Sequence, residues 1–203
     1  RILVDTGSPI SIHASPTLRL MERDFSCATQ YAGVSSGSLT ELLGSPITTL
    51  LGMDILSKFI VLFDYPNHRI GFSTTDSPSK GIEIPIRQHR GIPIVEAEVL
   101  GSKHQFFLDS GAKLSYLVAS ITEGLPSQET KSDFYPGYGS FETPIFTLET
   151  QIAGATLSIN FGNLPTQLLG LLNQGNMKGI IGFDLFNHFQ ILLNIQQNKL
   201  QFL

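Results

Sequence analysis

The sequence predicts an all-β fold made of two similar halves. Three observations predict it. A pair of motifs recurs in the same order in both halves, most segments are short with two-residue apolar alternation between turn signals, and helical patterning is confined to brief stretches. The 203 residues suffice for one large or two small domains with a real core.

The first repeated element lies near the start. Residues 2–12 read Ile-Leu-Val-Asp-Thr-Gly-Ser-Pro-Ile-Ser-Ile, and residues 106–116 read Phe-Phe-Leu-Asp-Ser-Gly-Ala-Lys-Leu-Ser-Tyr. Each is an apolar run, then Asp-(Thr/Ser)-Gly, then a small residue. The second element reads Leu-Leu-Gly-Met-Asp-Ile-Leu-Ser-Lys-Phe at 50–59 and Ile-Ile-Gly-Phe-Asp-Leu-Phe-Asn-His-Phe at 180–189. Behind each comes an apolar stretch, a polar turn (Asp64 to Asn67, Gln196 to Asn198) and a short apolar end. The offsets are 109 − 5 = 104 for the first element and 182 − 52 = 130 for the second. Two matched segments in one order point to a duplication. Asp-bearing turns from two similar halves can meet across a two-fold axis, and two carboxylates held that close cannot both ionise.

This pattern resembles the aspartic peptidases of the retropepsin and pepsin type. Retroviral-type enzymes carry one such unit and dimerise, whereas pepsin-like enzymes carry two in one chain. The present chain is similar to a short, fused, single-chain form with retropepsin-like local motifs. The resemblance covers most of the sequence and fails mainly between residues 13 and 38. It implies a two-lobe acid-protease-like fold with pseudo-two-fold symmetry and a few short helices. It also implies an aspartic endopeptidase that uses Asp5 and Asp109 as its dyad, with no metal and no cofactor. Its substrate would be an extended peptide or protein segment laid across the cleft.

Along the chain, the first lobe is expected over residues 1–72, a polar linker with Pro and Gly over 73–81, and the second lobe over 82–203. Before the second Asp turn, Gly91 to Lys103 read as a hairpin, with Val95, Ala97 and Val99 alternating with Glu96 and Glu98. Only four residues precede Asp5. The repeat therefore predicts about twenty further residues upstream in the native protein, or a first lobe that lacks that hairpin. Asp54 and Asp184 each open a short apolar-periodic stretch and are expected as helix N-caps.

A third echo sets Thr40-Glu41-Leu42-Leu43-Gly44 against Thr166-Gln167-Leu168-Leu169-Gly170. The interval from the Asp is 35 residues in the first half and 57 in the second, so the second half carries 22 more. The longer interval includes Asp133 to Thr143, an aromatic, Gly-rich turn with Tyr135 and Tyr138, followed by strand-like runs at 144–150 and 156–161. By resemblance this suits a flap, with Tyr135 and Tyr138 as substrate-binding residues. An ordinary surface hairpin reads the same way.

The chemistry of the turns can be argued residue by residue. Gly7 and Gly111 lack the Cβ that would keep the turns apart. Thr6 and Ser110 each bring a hydroxyl, which by resemblance donates to the backbone of the opposite turn. Ser8 is expected to hydrogen-bond the carboxylate of Asp5, as Ala112 cannot do for Asp109. Because each donor lowers an acceptor's pKa, Asp5 is expected to ionise more readily and Asp109 to carry the proton.

Composition bounds the rest. Charged residues are sparse, the net charge is −4 and no basic cluster appears, which argues against a nucleic-acid partner. Apolar runs are too short for a membrane span. Cys27 is the only cysteine, so an internal disulfide is excluded. His13, His68, His89, His104 and His188 lack zinc-type spacing. A monomer should suffice for activity, and dimerisation is possible at an open sheet edge. Two other readings stay open: a peptide-binding module that uses the cleft without cleavage, and an inactive form of the same fold.

Overall fold

The computed structural model describes residues 1–76, 80–173 and 176–203. Residues 77–79, within the expected linker, lie outside them. The first half contains strands β1 (Ile2–Val4), β2 (Ile12–His13), β3 (Thr17–Leu20), β4 (Arg23–Ser26), β5 (Gln30–Tyr31) and β6 (Val34–Ser35). Helix α1 (Ser36–Leu43), β7 (Thr49–Leu51), α2 (Met53–Leu56), β8 (Ile60–Asp64), a 3-10 turn (Tyr65–Asn67) and β9 (Arg69–Ser73) complete it. The second half begins with β10 (Ile82–Pro85), β11 (Arg87–His89), β12 (Ile92–Val99), β13 (Ser102–Leu108), β14 (Ser115–Leu117) and α3 (Ala119–Thr122). Then come β15 (Glu129–Tyr135), β16 (Gly139–Ile152), β17 (Ala155–Asn163), a 3-10 turn (Thr166–Leu168), α4 (Leu169–Asn173), β18 (Gly179–Ile181), α5 (Phe183–His188), β19 (Ile191–Asn194) and β20 (Lys199–Phe202). The fold is all-β, with short helices between strands.

The sequence repeat reappears as strand register. β1 runs parallel to β7 with Val4 opposite Leu51, and β2 runs antiparallel on the other side with Ile12 opposite Leu50. In the second half Leu108 of β13 lies opposite Ile181 of β18 in a parallel pair, and Tyr116 of β14 lies opposite Ile180 in an antiparallel one. These are the same pairings moved by the same 104 and 130 residues. The motif strands show no apolar–polar alternation because β7, β14 and β18 are buried along their whole length.

The terminal hairpins of the two halves share one sheet. β8–β9 and β19–β20 join through β8 and β19, antiparallel, with Phe63 opposite Ile191 and Val61 opposite Leu193. β10 adds to the free side of β20, giving the order β10-β20-β19-β8-β9. Residues of both halves meet beneath it in one apolar cluster, where the ring of Phe63 packs edge-on against Phe186 at 5.0 Å. In the second half β12 pairs with β13 and also with β16, which closes β12-β13-β18-β14-β17-β16 into a ring. The anticipated hairpin is β12 and β13, with Val95, Ala97 and Val99 buried.

Two helical expectations are corrected. Asp54 and Asp184 are not N-caps. Gly52 and Gly182 hold those positions, and neither makes a side-chain cap. The first helical amides are satisfied by the Asp turns instead, with Met53 N–H donating to Ser8 O at 2.8 Å and Phe183 N–H to Ala112 O at 2.9 Å. Asp54, one position further in, accepts from Ser11 N–H at 2.9 Å, and Asp184 from Asn160 N–H at 3.0 Å. Each therefore ties its helix to the sheet. Helix α1 was not anticipated. It starts at a capping box in which Ser35 and Ser38 satisfy each other's backbone amides. Serine replaces the usual Glu or Gln there, so the signature is hard to see in sequence.

Candidate active site

Each Asp turn is tied to the end of a buried neighbouring strand, β7 or β18. Asp5 N–H donates to Leu51 O at 3.0 Å and Asp109 N–H to Ile181 O at 2.9 Å. Behind each turn a serine accepts the amide of the motif glycine, Ser11 Oγ from Gly52 at 2.8 Å and Ser115 Oγ from Gly182 at 3.0 Å. The glycines are required by space. A Cβ on Gly52 would sit 2.8 Å from Ile10 O, and one on Gly182 would sit 2.6 Å from Ala112 O.

The buried hydroxyls of Thr6 and Ser110 bind the two turns together. Thr6 Oγ1 donates to Leu108 O at 2.7 Å, and Ser110 Oγ donates to Val4 O at 2.9 Å. Each also accepts the other's amide: Ser110 N–H to Thr6 Oγ1 at 2.9 Å and Thr6 N–H to Ser110 Oγ at 3.1 Å. Every donor and acceptor in this small network has a partner. Four such bonds, each worth about 1 kcal/mol net, oppose any separation of the turns.

The carboxyl groups of Asp5 and Asp109 consequently meet and hydrogen-bond each other. Each also accepts two amides of its own turn. Asp5 Oδ1 takes Gly7 N–H at 2.8 Å and Ser8 N–H at 3.0 Å, and Asp109 Oδ1 takes Gly111 N–H at 2.8 Å and Ala112 N–H at 3.1 Å. The approach leaves no room for a side chain. A Cβ on Gly7 would lie 2.3 Å from Asp109 Cγ, and one on Gly111 would lie 2.7 Å from Asp5 Cγ.

Ser8 does not play the role expected of it. Its hydroxyl donates to Ile10 O at 2.9 Å, and only its amide reaches Asp5. The anticipated asymmetry in favour of an ionised Asp5 therefore disappears. Burial raises the pKa of both carboxyls, and Asp5 is pushed further by the charge of Asp109 and by the hydrogen bond to it. Asp109 is drawn down by accepting from Asp5 and by backbone donors that include Gly7. With the Ser8 hydroxyl directed elsewhere, the proton is a property of the pair, and the two carboxyls titrate together.

The long hairpin β15–β16 projects its turn toward this site. Burial and then the charges of Asp109 and Asp5 push the Tyr135 phenol up to about 12, so Tyr135 lies within electrostatic reach of both. Tyr138 sits one step outward, its ring edge-on to Phe141 at 6.0 Å and its hydroxyl donating to Gln167 Oε1 at 3.3 Å. At the base, the Tyr116 hydroxyl donates to Asp133 Oδ2. The turn reaches the first half: a Cβ on Gly137 would lie 3.4 Å from Ala32 O, in the tight β5–β6 turn.

Tyr65 was read only as part of a polar turn. Its ring packs against Phe63, Phe183 and Phe186, and its phenol has its pKa raised by burial and by the charges of both aspartates. The repeat hides it, because the matching position at 195 is Ile. Ser11 and Ser115, by contrast, stand at matching positions of the first motif and were legible there. Among the described residues, no cluster of His, Cys, Asp or Glu is arranged to hold a metal ion, and no helix is long and apolar enough to cross a membrane. No model of a known protein family matches the chain, and comparison with curated proteins finds no similar sequence.

Proposed function

We infer that this protein is an aspartic endopeptidase that hydrolyses peptide bonds with a water activated between Asp5 and Asp109. The single observation that carries this reading is the contact between two carboxyl groups delivered by two copies of one turn and locked by reciprocal hydroxyl bonds. In the resting pair one proton is shared. The ionised carboxylate of the pair removes a proton from the water as its oxygen attacks the scissile carbonyl carbon. The protonated partner gives its proton to the carbonyl oxygen, forming a tetrahedral diol. As the diol collapses and the C–N bond breaks, the carboxyl that holds the water's proton passes it to the leaving nitrogen, and the other takes a proton back from a diol hydroxyl, which restores the singly protonated pair. The substrate lies extended across the cleft beside the β15–β16 hairpin, whose Tyr135 is within electrostatic reach of the dyad.

The test is digestion of an unbiased peptide library, with products read by mass spectrometry. Cleavage that disappears in both Asp5→Asn and Asp109→Asn supports the reading. Peptides bound tightly with no product would sink it and favour a binding module that keeps the cleft.

A further inference from the structure

The strand that follows the second Asp turn also holds the long hairpin. Tyr116 is the central residue of β14, is buried, and stands opposite Ile180 of β18. Its hydroxyl donates to Asp133 Oδ2, and its ring centre lies 6.1 Å from that of Phe141. Asp133 and Phe141 face each other in the β15–β16 register, so both contacts fall on one cross-strand pair and on one face of the hairpin. Tyr135, two residues beyond Asp133 on the same strand, projects from that same face about 7 Å further along. The fit behind Tyr116 is close. A Cβ on Gly162 of β17 would lie 3.0 Å from Tyr116 Cε1 and 2.9 Å from Thr143 Cγ2. Burial, the bond to Asp133 and the charges of Asp133 and Asp109 raise the Tyr116 pKa, so the phenol keeps its proton and remains a donor. The matching residue of the first half, 116 − 104 = 12, is Ile12, which has no donor to offer.

We propose that Tyr116 is a positioning residue: its bond to Asp133 fixes the β15–β16 hairpin and thereby the place of Tyr135 beside the Asp5–Asp109 pair. The proposal rests on reading that pair as the catalytic one. The anchor and Asp109 stand on one frame, because Ser115, next to Tyr116, accepts the Gly182 amide at 3.0 Å while Asp109 N–H donates to Ile181 O at 2.9 Å. Toward its tip the hairpin is tied more weakly, by the exposed Tyr138 hydroxyl on Gln167 Oε1 at 3.3 Å. The buried anchor therefore decides where Tyr135 sits. Without it, substrate binding must itself order the hairpin, so the loss falls on KM rather than on kcat.

The test compares Tyr116→Phe, which keeps the ring and removes the hydroxyl, with Asp133→Ala and the double variant. Amide hydrogen exchange of the protein without peptide is the first readout and needs no activity. Exchange over residues 134–141 should quicken about tenfold in each single variant, and the two effects should not add. Ser115–Leu117 and Gly179–Ile181 should stay as protected as in the parent protein. The second readout is turnover of a cleaved library peptide, where KM should rise about tenfold and kcat should stay within about twofold. Unchanged exchange over residues 134–141 in a folded Tyr116→Phe variant overturns the proposal. So does faster exchange that spreads to β14 and β18, since Tyr116 would then serve packing alone, and so does a fall in kcat at unchanged KM. A parent protein that cleaves nothing sinks the peptidase reading alone, and the exchange comparison still decides whether Tyr116 holds the hairpin.

Discussion

The two Asp turns and the two regions around them behave differently. Around Asp5 and Asp109 the halves agree bond for bond: the same strand register, the same serine on the motif glycine, the same pair of amides on each carboxylate. A few residues away they diverge. The second half builds a closed ring of strands and a long hairpin whose turn reaches the first half, whereas the first half offers a three-stranded sheet and two small ribbons, β3–β4 and β5–β6. The contrast shows where geometry is constrained. Two half-buried carboxyls in contact tolerate little error in the turns that hold them, while the surroundings need only supply cover.

The strongest way to break the likeness between the turns is to remove one carboxylate. Asp5→Asn and Asp109→Asn should each lower kcat/KM by about 10³-fold or more, the scale of lost acid–base catalysis. Similar losses in both, and no further loss in the double variant, would show that the pair acts as a unit.

Adding a methyl group to either turn comes next. Gly7→Ala places its Cβ closer to the opposite carboxyl than Gly111→Ala does, 2.3 Å against 2.7 Å. Overpacking of this sort costs about 1–3 kcal/mol, and a displacement of about 1 Å at the dyad costs on the order of 10²-fold in rate. Denaturant unfolding and peptide turnover should both rank Gly7→Ala as the worse. Equal effects would mean that the turns separate freely.

The hydroxyl network gives a smaller effect. Thr6→Val and Ser110→Ala each leave buried backbone groups unpaired and should cost about 1–3 kcal/mol. Because the two hydroxyls bond into one network, a double-mutant cycle should depart from additivity. Strict additivity would show that the two bonds are independent.

Stability against pH separates the carboxylates from their scaffold. Both hold folded-state pKa values above the ordinary aspartate value. Their contribution is therefore fully present below that value, about 3.9, and is lost as pH rises through the raised folded value. Asp5→Asn should remove most of this loss, melting higher than the parent protein at about pH 7 and alike at about pH 3. The same decline in both proteins would place its cause elsewhere. The smallest effect belongs to Ser8→Ala. With the hydroxyl on Ile10 O, the acidic limb of the activity profile should not move, and stability should fall by only about 1 kcal/mol.

Much of the site was legible because it is local and repeated. Asp-(Thr/Ser)-Gly, the serine six residues after each Asp and the later apolar-apolar-Gly recur at constant offsets, and the strands pair at those offsets. The direction of the Ser8 hydroxyl was not legible, since a rotation about one bond decides between Asp5 and Ile10. The roles of Asp54 and Asp184 were misread for a similar reason. An acidic residue at a helix start suits a cap, but the adjacent Asp turns already satisfied the helical amides. Tyr65 escaped because the repeat has no counterpart for it.

The sequence by itself determined the all-β class, the duplication, the motif strands and their register, because apolar alternation and small residues at fixed spacing dictate which backbones can lie close together. Only the tertiary structure decided which backbone oxygen the Ser8 hydroxyl meets, that Tyr65 packs beside the second-half helix, and that the second-half hairpin reaches the first half. Those outcomes depend on contacts between residues about a hundred positions apart, and on small differences in burial and orientation that no local pattern encodes.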